Sequence, residues 1–197
     1  MPQTRGTGLL EPILARWRSR RANSLTPAHL RTGRILDIGC GSFPYFLAHT
    51  AFKEKFAIEQ RYLPGMIPSE LKINFYNLNL NEKTALPFET SYFSIVTLLA
   101  VVEHLNPNKM AQLTRDVFRV LQPGGRVILT TPAAWSENLL HWMAWIGLVS
   151  KEEIDEHVYA YTLPLIGWYF GQGGFEMEKI RFGYFELGMN MWATADK

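Results

Sequence analysis

Arg34-Ile35-Leu36-Asp37-Ile38-Gly39-Cys40-Gly41-Ser42 joins a short apolar run to two closely spaced glycines, and its reading decides the fold. Ile35, Leu36 and Ile38 predict a buried strand of a parallel sheet, with Asp37 near its carboxyl end. Gly39 and Gly41 allow a sharp turn in which the backbone meets a ligand with no Cβ in the way. Ser42 is placed to cap the helix that follows, and Pro44 to sit in its first turn. Strand, glycine turn and helix N-terminus together predict a nucleotide-type binding site.

Working outward, strand and helix signals alternate, which predicts a parallel α/β sheet. A helix opened by Pro12 carries Leu9, Leu10, Ile13, Leu14 and Trp17 on one side, with Arg16, Arg18 and Arg20 largely elsewhere. Strands are expected at 34–38, 55–58, 71–76, 93–99 and 126–130. Short and long helices are expected at 45–50 and 109–121, the second burying Met110, Leu113, Val117, Val120 and Leu121. Beyond Pro132 the chain becomes aromatic, with five of its six tryptophans. An apolar helix at 135–149 and another at 162–171 are expected there. Strands at 175–182 and 184–192 would then form an antiparallel hairpin at the sheet edge.

These elements predict a single domain over 1–197, an α/β Rossmann-like doubly wound sheet with helices on both faces. It is mostly parallel, with the antiparallel hairpin at its C-terminal edge. A basic helix within 1–30 and a helical substrate-side cap at 133–173 are its additions. Hydrophobic content of 47% with 19% charged residues fits a soluble globular chain. The net charge of +2 does not by itself imply nucleic acid, but its distribution is uneven. Residues 1–34 hold seven Arg against one acid, Glu11, a balance of +6 that leaves −4 on the remainder. No RNA-binding module is recognisable behind that patch, which argues against a nucleic-acid partner. One cysteine excludes an intramolecular disulfide and argues against a Cys-based zinc site; no metal ligands are assigned. No segment resembles a signal peptide, and the apolar run at 139–149 is about half a membrane span, so a cytoplasmic location is expected.

The glycine turn discriminates between nucleotides. A dinucleotide site calls for a third glycine, as in G-x-G-x-x-G, and that position is Pro44. Asp37, two residues before Gly39, would also face a pyrophosphate unfavourably. A ligand with an ammonium group and no phosphate suits the acidic turn better, and S-adenosylmethionine is such a ligand. A nicotinamide-dependent oxidoreductase is the weaker alternative.

Ile35-Leu36-Asp37-Ile38-Gly39-Cys40-Gly41 resembles the first motif of class I S-adenosylmethionine-dependent methyltransferases. Three further segments resemble the UbiE-like (type 11) branch in order. They are Ala57-Ile58-Glu59-Gln60, Leu86-Pro87-Phe88 through Phe93-Ser94-Ile95-Val96 with Val102-Glu103-His104-Leu105, and Val117 through Arg126. The resemblance implies that Asp37, Gly39, Cys40, Gly41, Glu59, Gln60, Asn79, Leu80 and Leu99 contact S-adenosylmethionine. Glu59, 22 positions after Asp37, would accept the ribose hydroxyls, and Asp37 would orient the turn or the ammonium. Cys40 is read as a packing residue of the motif. The chain departs from the family at three positions. Phe43 fills the third small position of the first motif, and Asn79 stands where an aspartate accepts from the adenine amino group. Ser94 replaces another aspartate, with a structural consequence expected.

Methyl transfer from a sulfonium needs alignment and exclusion of water, and with oxygen or nitrogen acceptors a proton must also leave. His157 and His104 are the candidate bases, and Tyr161, four positions after His157, is the candidate orienting group. Pro132 to Tyr161 loosely resembles methyltransferases of bacterial surface-polysaccharide clusters, which suggests a small-molecule, sugar- or lipid-linked acceptor. The aromatic helix and the basic Trp17 helix suggest a peripheral membrane contact. A non-catalytic S-adenosylmethionine-binding or partner subunit is the alternative that Phe43, Asn79 and Ser94 keep open. Oligomeric state is not legible.

Overall fold

The computed structural model describes residues 9–60, 68–82, 85–151, 154 and 158–197. Among them seven strands form one sheet: β1 (Arg34–Ile38), β2 (Glu54–Ile58), β3 (Ile73–Tyr76), β4 (Phe93–Leu99), β5 (Leu121–Pro132), β6 (Ile180–Phe185) and β7 (Asn190–Asp196). Their order is β3-β2-β1-β4-β5-β7-β6. The first five strands are parallel, and β7 runs antiparallel between β5 and β6. The sheet is therefore Rossmann-like, mostly parallel, with an antiparallel hairpin at one edge.

Pleating sends alternate residues to opposite faces. Leu36, Ile38, Val96, Leu98, Val127 and Leu129 share the larger core with α3 (Pro107–Val120) and α5 (Leu163–Gly173). Ile35, Ala57, Ile95 and Ile128 face α1 (Glu11–Leu25) and α2 (Tyr45–Ala48) on the other side. The predicted stripe of α3 is buried as expected. Its start lies two residues earlier because Asn106 caps it, accepting from the Asn108 N–H at 3.0 Å, with Pro107 at the first position. α4 (Glu137–Trp145) is shorter than the expected 135–149. It closes where the Gly147 and Leu148 N–H groups bond back to Ala144 and Met143. No described helix is long and apolar enough to cross a membrane.

The side of α1 that meets the sheet is that of Glu11, Ala15, Ser19 and Ala22. Small side chains let the helix lie close to the sheet, so Leu9, Ile13 and Trp17 point outward at 77%, 45% and 45% exposure. The helix after the glycine turn opens at Tyr45 with Pro44, not Ser42, in the cap position. Pro44 disfavours a helical conformation for Phe43 before it, which delays the helix start. The hairpin strands are 180–185 and 190–196 rather than 175–182 and 184–192. Gly183, read as a turn, lies inside β6 opposite Trp192. A Cβ there would come within 2.6 Å of the indole, so the glycine makes room for a ring.

Gly183→Ala is expected to cost about 1–3 kcal/mol in urea unfolding, as overpacking does. The penalty should shrink in a Trp192→Leu background, a coupling that a double-mutant cycle reads directly.

Candidate active site

The strand order reverses between β1 and β4, and the crevice at such a point lies beyond the carboxyl ends of the strands. Two turns frame it. After β1, Gly39 and Gly41 adopt φ of 72° and 73°. A Cβ on Gly39 would sit 2.6 Å from Val101 Cγ2 in the turn after β4. The Gly39 N–H donates to the Ile58 carbonyl at 2.8 Å, and Glu59 Oε2 accepts the Gly41 N–H at 2.9 Å. The end of β2 thereby holds the glycine turn in place.

Two chambers meet at Gly39 and His104. The second runs over the ends of β2 and β3 and is lined by Glu59, Gln60, Leu78 and Asn79 to Asn81. The first runs the other way, between Asp37, Cys40, Gly41 and Leu99 on the sheet and the inner faces of three covering elements. Glu11, Leu14, Ala15, Arg18 and Ser19 come from α1, Leu140 from α4, and Glu186 and Asn190 from the β6–β7 turn. Val149 and Ile154 complete an apolar wall. The covering helices are tied together: the Leu10 N–H donates to the Leu148 carbonyl at 2.9 Å, and Glu11 Oε1 accepts the Ser150 N–H at 3.2 Å.

The first chamber is rich in buried carboxylates. Register places Thr97 beside Asp37, and the Thr97 hydroxyl donates to Asp37 Oδ1 at 2.6 Å. Burial, and to a lesser degree the Glu59 charge, raise the Asp37 pKa to about 7 against the pull of that hydrogen bond. Glu103, buried with Thr131 donating to Oε2 at 3.0 Å, is also pushed up by burial, opposed by His104, Thr131 and Arg18. Glu186 is raised by burial, opposed by Arg18 and by the Asn190 amide that donates to Oε2. Its Oε1 is buried with no hydrogen-bond partner among the described residues. Glu186 and Leu187 both hold left-handed backbone, at φ of 52° and 55°, a conformation that costs ordinary residues free energy. Arg18, 3.9 Å from Glu11, brings a cation among these acids.

All nine residues expected to meet the cofactor line one chamber or the other: Asp37, Gly39, Cys40, Gly41 and Leu99 the first, Glu59, Gln60, Asn79 and Leu80 the second, with Gly39 in both. Asn79 differs in detail. Its carbonyl accepts the Asn81 N–H at 3.0 Å and its amide donates to Glu82 at 2.9 Å, so the side chain shapes its own turn. Ser94 is structural, donating among the Leu30 and Arg34 carbonyls at the amino end of the sheet. His104 stands at the junction of the chambers. His157 lies outside the described residues. Tyr161 is a correction: it is fully buried in the larger core, its hydroxyl 3.5 Å from the Leu105 carbonyl, and it lines neither chamber. Its aromatic neighbours Tyr159 and Tyr169 hold it there. Burial raises its pKa well above the usual phenol range.

Sequence reasoning missed Glu11, Arg18, Glu103, Glu186 and Asn190. The spacing of Ala15, Ser19 and Ala22 was the available signal for the inward face of α1, with Glu11 and Arg18 beside it. Glu103 was visible next to His104. Nothing in the sequence marked Glu186, which reaches the chamber only through the hairpin register.

The chain is similar to a S-adenosylmethionine-dependent methyltransferase from Archaeoglobus fulgidus at 17% identity. That match covers 93% of this chain and 94% of that one, with a TM-score of 0.67. A second, from Mesorhizobium loti, is 18% identical, covers 93% and 98%, and has a TM-score of 0.65. At such identities the likeness shows the fold. No curated protein sequence matches the chain. The model of the methyltransferase domain family, however, matches residues 10–180. With that match over most of its length and this sheet order, the chain belongs to the methyltransferase domain family, as a class I enzyme that uses S-adenosylmethionine.

Proposed function

We propose that the enzyme methylates a hydroxyl or amine on a small sugar- or lipid-linked acceptor held in the first chamber. The observation that carries this reading is Glu186 Oε1, a buried acceptor atom without a partner among the described residues, in a chamber walled on another side by Leu14, Leu140, Val149 and Ile154. Polar hydrogen-bond acceptors opposite an apolar wall suit a ligand with O–H or N–H groups at one end and hydrocarbon at the other.

The donor set fits S-adenosylmethionine. Asp37 would hold the ammonium, Glu59 the ribose hydroxyls beside Gln60, and Asn79 and Leu80 the adenine side, with the backbone at Gly39 to Gly41 against the methionyl chain. When bound, the cofactor supplies a methyl group already activated by its positive sulfur. The chain then has three tasks. α1, α4 and the β6–β7 turn exclude water and align the acceptor. Glu186 accepts a hydrogen bond from the acceptor's O–H or N–H. His104, at the junction of the chambers, would take the proton that leaves the acceptor's O–H or N–H on methylation. Of the expected substrate-side cap at 133–173, α4 and the segment reaching Ile154 act as a cap in this reading, whereas α5 packs on α3 in the larger core.

Incubation with methyl-labelled S-adenosylmethionine and fractionated cell extract tests the acceptor class. Label is expected in glycan or lipid fractions, and label confined to RNA or protein would overturn the reading. Glu186→Gln should raise the acceptor KM by about tenfold, roughly the worth of one charge-assisted hydrogen bond, and leave cofactor affinity unchanged.

Asp37 gives opposite pH signatures for stability and binding. Its pKa rises from 3.8 unfolded to about 7 folded. Its protonated form therefore favours folding below pH 3.8, and that stability is lost as pH rises through 7. At pH 8, Asp37→Asn should be more stable than the parent by up to about 4 kcal/mol in urea unfolding, with a smaller difference at pH 5. Cofactor affinity should instead increase from pH 6 to pH 8 in calorimetric titration as the carboxylate ionises. Asp37→Asn should abolish that rise and weaken binding by about tenfold or more.

A further inference from the structure

We infer that the outer faces of α1, α4 and the β6–β7 turn form one docking surface for an anionic phospholipid bilayer. On the α1 side, Leu9, Ile13 and Trp17 are exposed, and on the α4 side Trp135, Leu139, Trp142, Trp145 and Ile146, with Trp145 at 81%. The turn adds Leu187 at 96% exposure. Apolar surface on this scale, dominated by tryptophan, marks an interaction site rather than ordinary scatter. Tryptophan is the side chain that partitions to the headgroup boundary, where its ring is buried and its N–H stays wet.

These residues belong to one surface because their elements are joined. The start of α1 bonds to the Gly147 and Leu148 carbonyls after α4, and Leu14 packs on Leu140, Ala144 and Val149. On the other flank, Trp17, Arg20, Arg21 and Ser24 of α1 line a shallow groove against Phe185, Glu186 and Leu187 of the turn. A Cβ on Gly188 would touch Trp135 at 3.6 Å, which brings the entry to α4 against the same turn. The inner faces of these elements line the first chamber, so the surface rims the acceptor's entrance.

Charge selects the partner. Arg16 and Arg20 are exposed on the outward side of α1. Arg21 is stacked over Phe185 and Trp192, its guanidinium 5.8 and 5.9 Å from the ring centroids. Among the described side chains exposed on α1 and α4, none is acidic. Glu186 lines the groove too, but Asn190 holds its Oε2 and its Oε1 is buried. Complementarity is carried by α1 alone, since the side chain of Glu137 and the acids at 152, 153, 155 and 156 lie outside what is described. Basic residues interleaved with Trp and Leu on a helix face are the pattern of an interfacial element that meets anionic lipid. The groove offers guanidinium to a headgroup phosphate, while Leu187 and Trp17 enter the acyl boundary. This rests on the proposed acceptor only in giving the orientation a purpose; the docking itself does not need it.

Flotation with vesicles of phosphatidylcholine, alone or mixed with phosphatidylglycerol, tests the surface on the full chain. Binding should be about tenfold or more stronger to the mixed vesicles and fall with salt, with a blue shift of tryptophan emission. Trp142→Ser with Trp145→Ser should lose binding to both vesicle types. Arg16→Glu with Arg20→Glu should lose only the preference for phosphatidylglycerol. Both pairs should keep the calorimetric affinity for S-adenosylmethionine, which shows that they fold. Absence of vesicle binding, or binding that neither pair changes, overturns the inference. So does a dimer in ultracentrifugation that the tryptophan pair dissociates, since a second copy would then be the occupant. If vesicles fail while lipid-fraction labelling persists, the acceptor reading stands and only the docking falls.

Discussion

A carboxylate held out of water at the carboxyl end of β1 is the constraint around which the rest is arranged. Asp37 is almost fully buried, and a lone ionised group there would be costly. The sheet answers with Thr97 across the ladder, which requires β1 and β4 in this register. Glu59 approaches from β2 to hold the glycine turn, which adds a second negative charge. Burial, with that charge added, raises the Asp37 carboxyl to about 7. The site is poised for a positively charged ligand by its electrostatic discomfort without one.

The second constraint is the way α1 is laid on the sheet. A helix presenting Ala15, Ser19 and Ala22 inward can approach closely, and its larger side chains must then go elsewhere. That choice turns Arg18 and Glu11 toward the chamber and Ile13 and Trp17 toward solvent. One helix thereby furnishes both a wall of the first chamber and its outer rim. Chamber chemistry and surface chemistry are two faces of the same packing decision.

How much of this was legible in the sequence follows from the range of the forces involved. β1, β4 and the α3 stripe were readable because local periodicity and burial agree there. The nine residues expected at the cofactor line the two chambers because they lie at or just beyond strand ends, where a motif fixes position within a residue or two. The orientation of α1 is not legible from its apolar side, because closeness of approach decides which residues meet the sheet. Gly183 was read as a turn because a glycine that seats a distant indole looks, locally, like any other glycine. Tyr161 was drawn to the site by its spacing from His157, although a ring among Tyr159 and Tyr169 belongs to the core. Glu186 enters the chamber through pairings that span the sheet, and no short window of sequence contains them.

Leu187 shows what such a surface asks of its owner. It holds left-handed backbone without being glycine, and almost all of its side chain stands in water. Any selection for heat resistance alone would replace it early, since glycine or asparagine would relieve the backbone and a polar group would relieve the exposure. Keeping a leucine there accepts two penalties at one position. An enzyme evolved in the test tube for shelf life would shed this residue first, and with it the tip it carries beside the chamber's entrance.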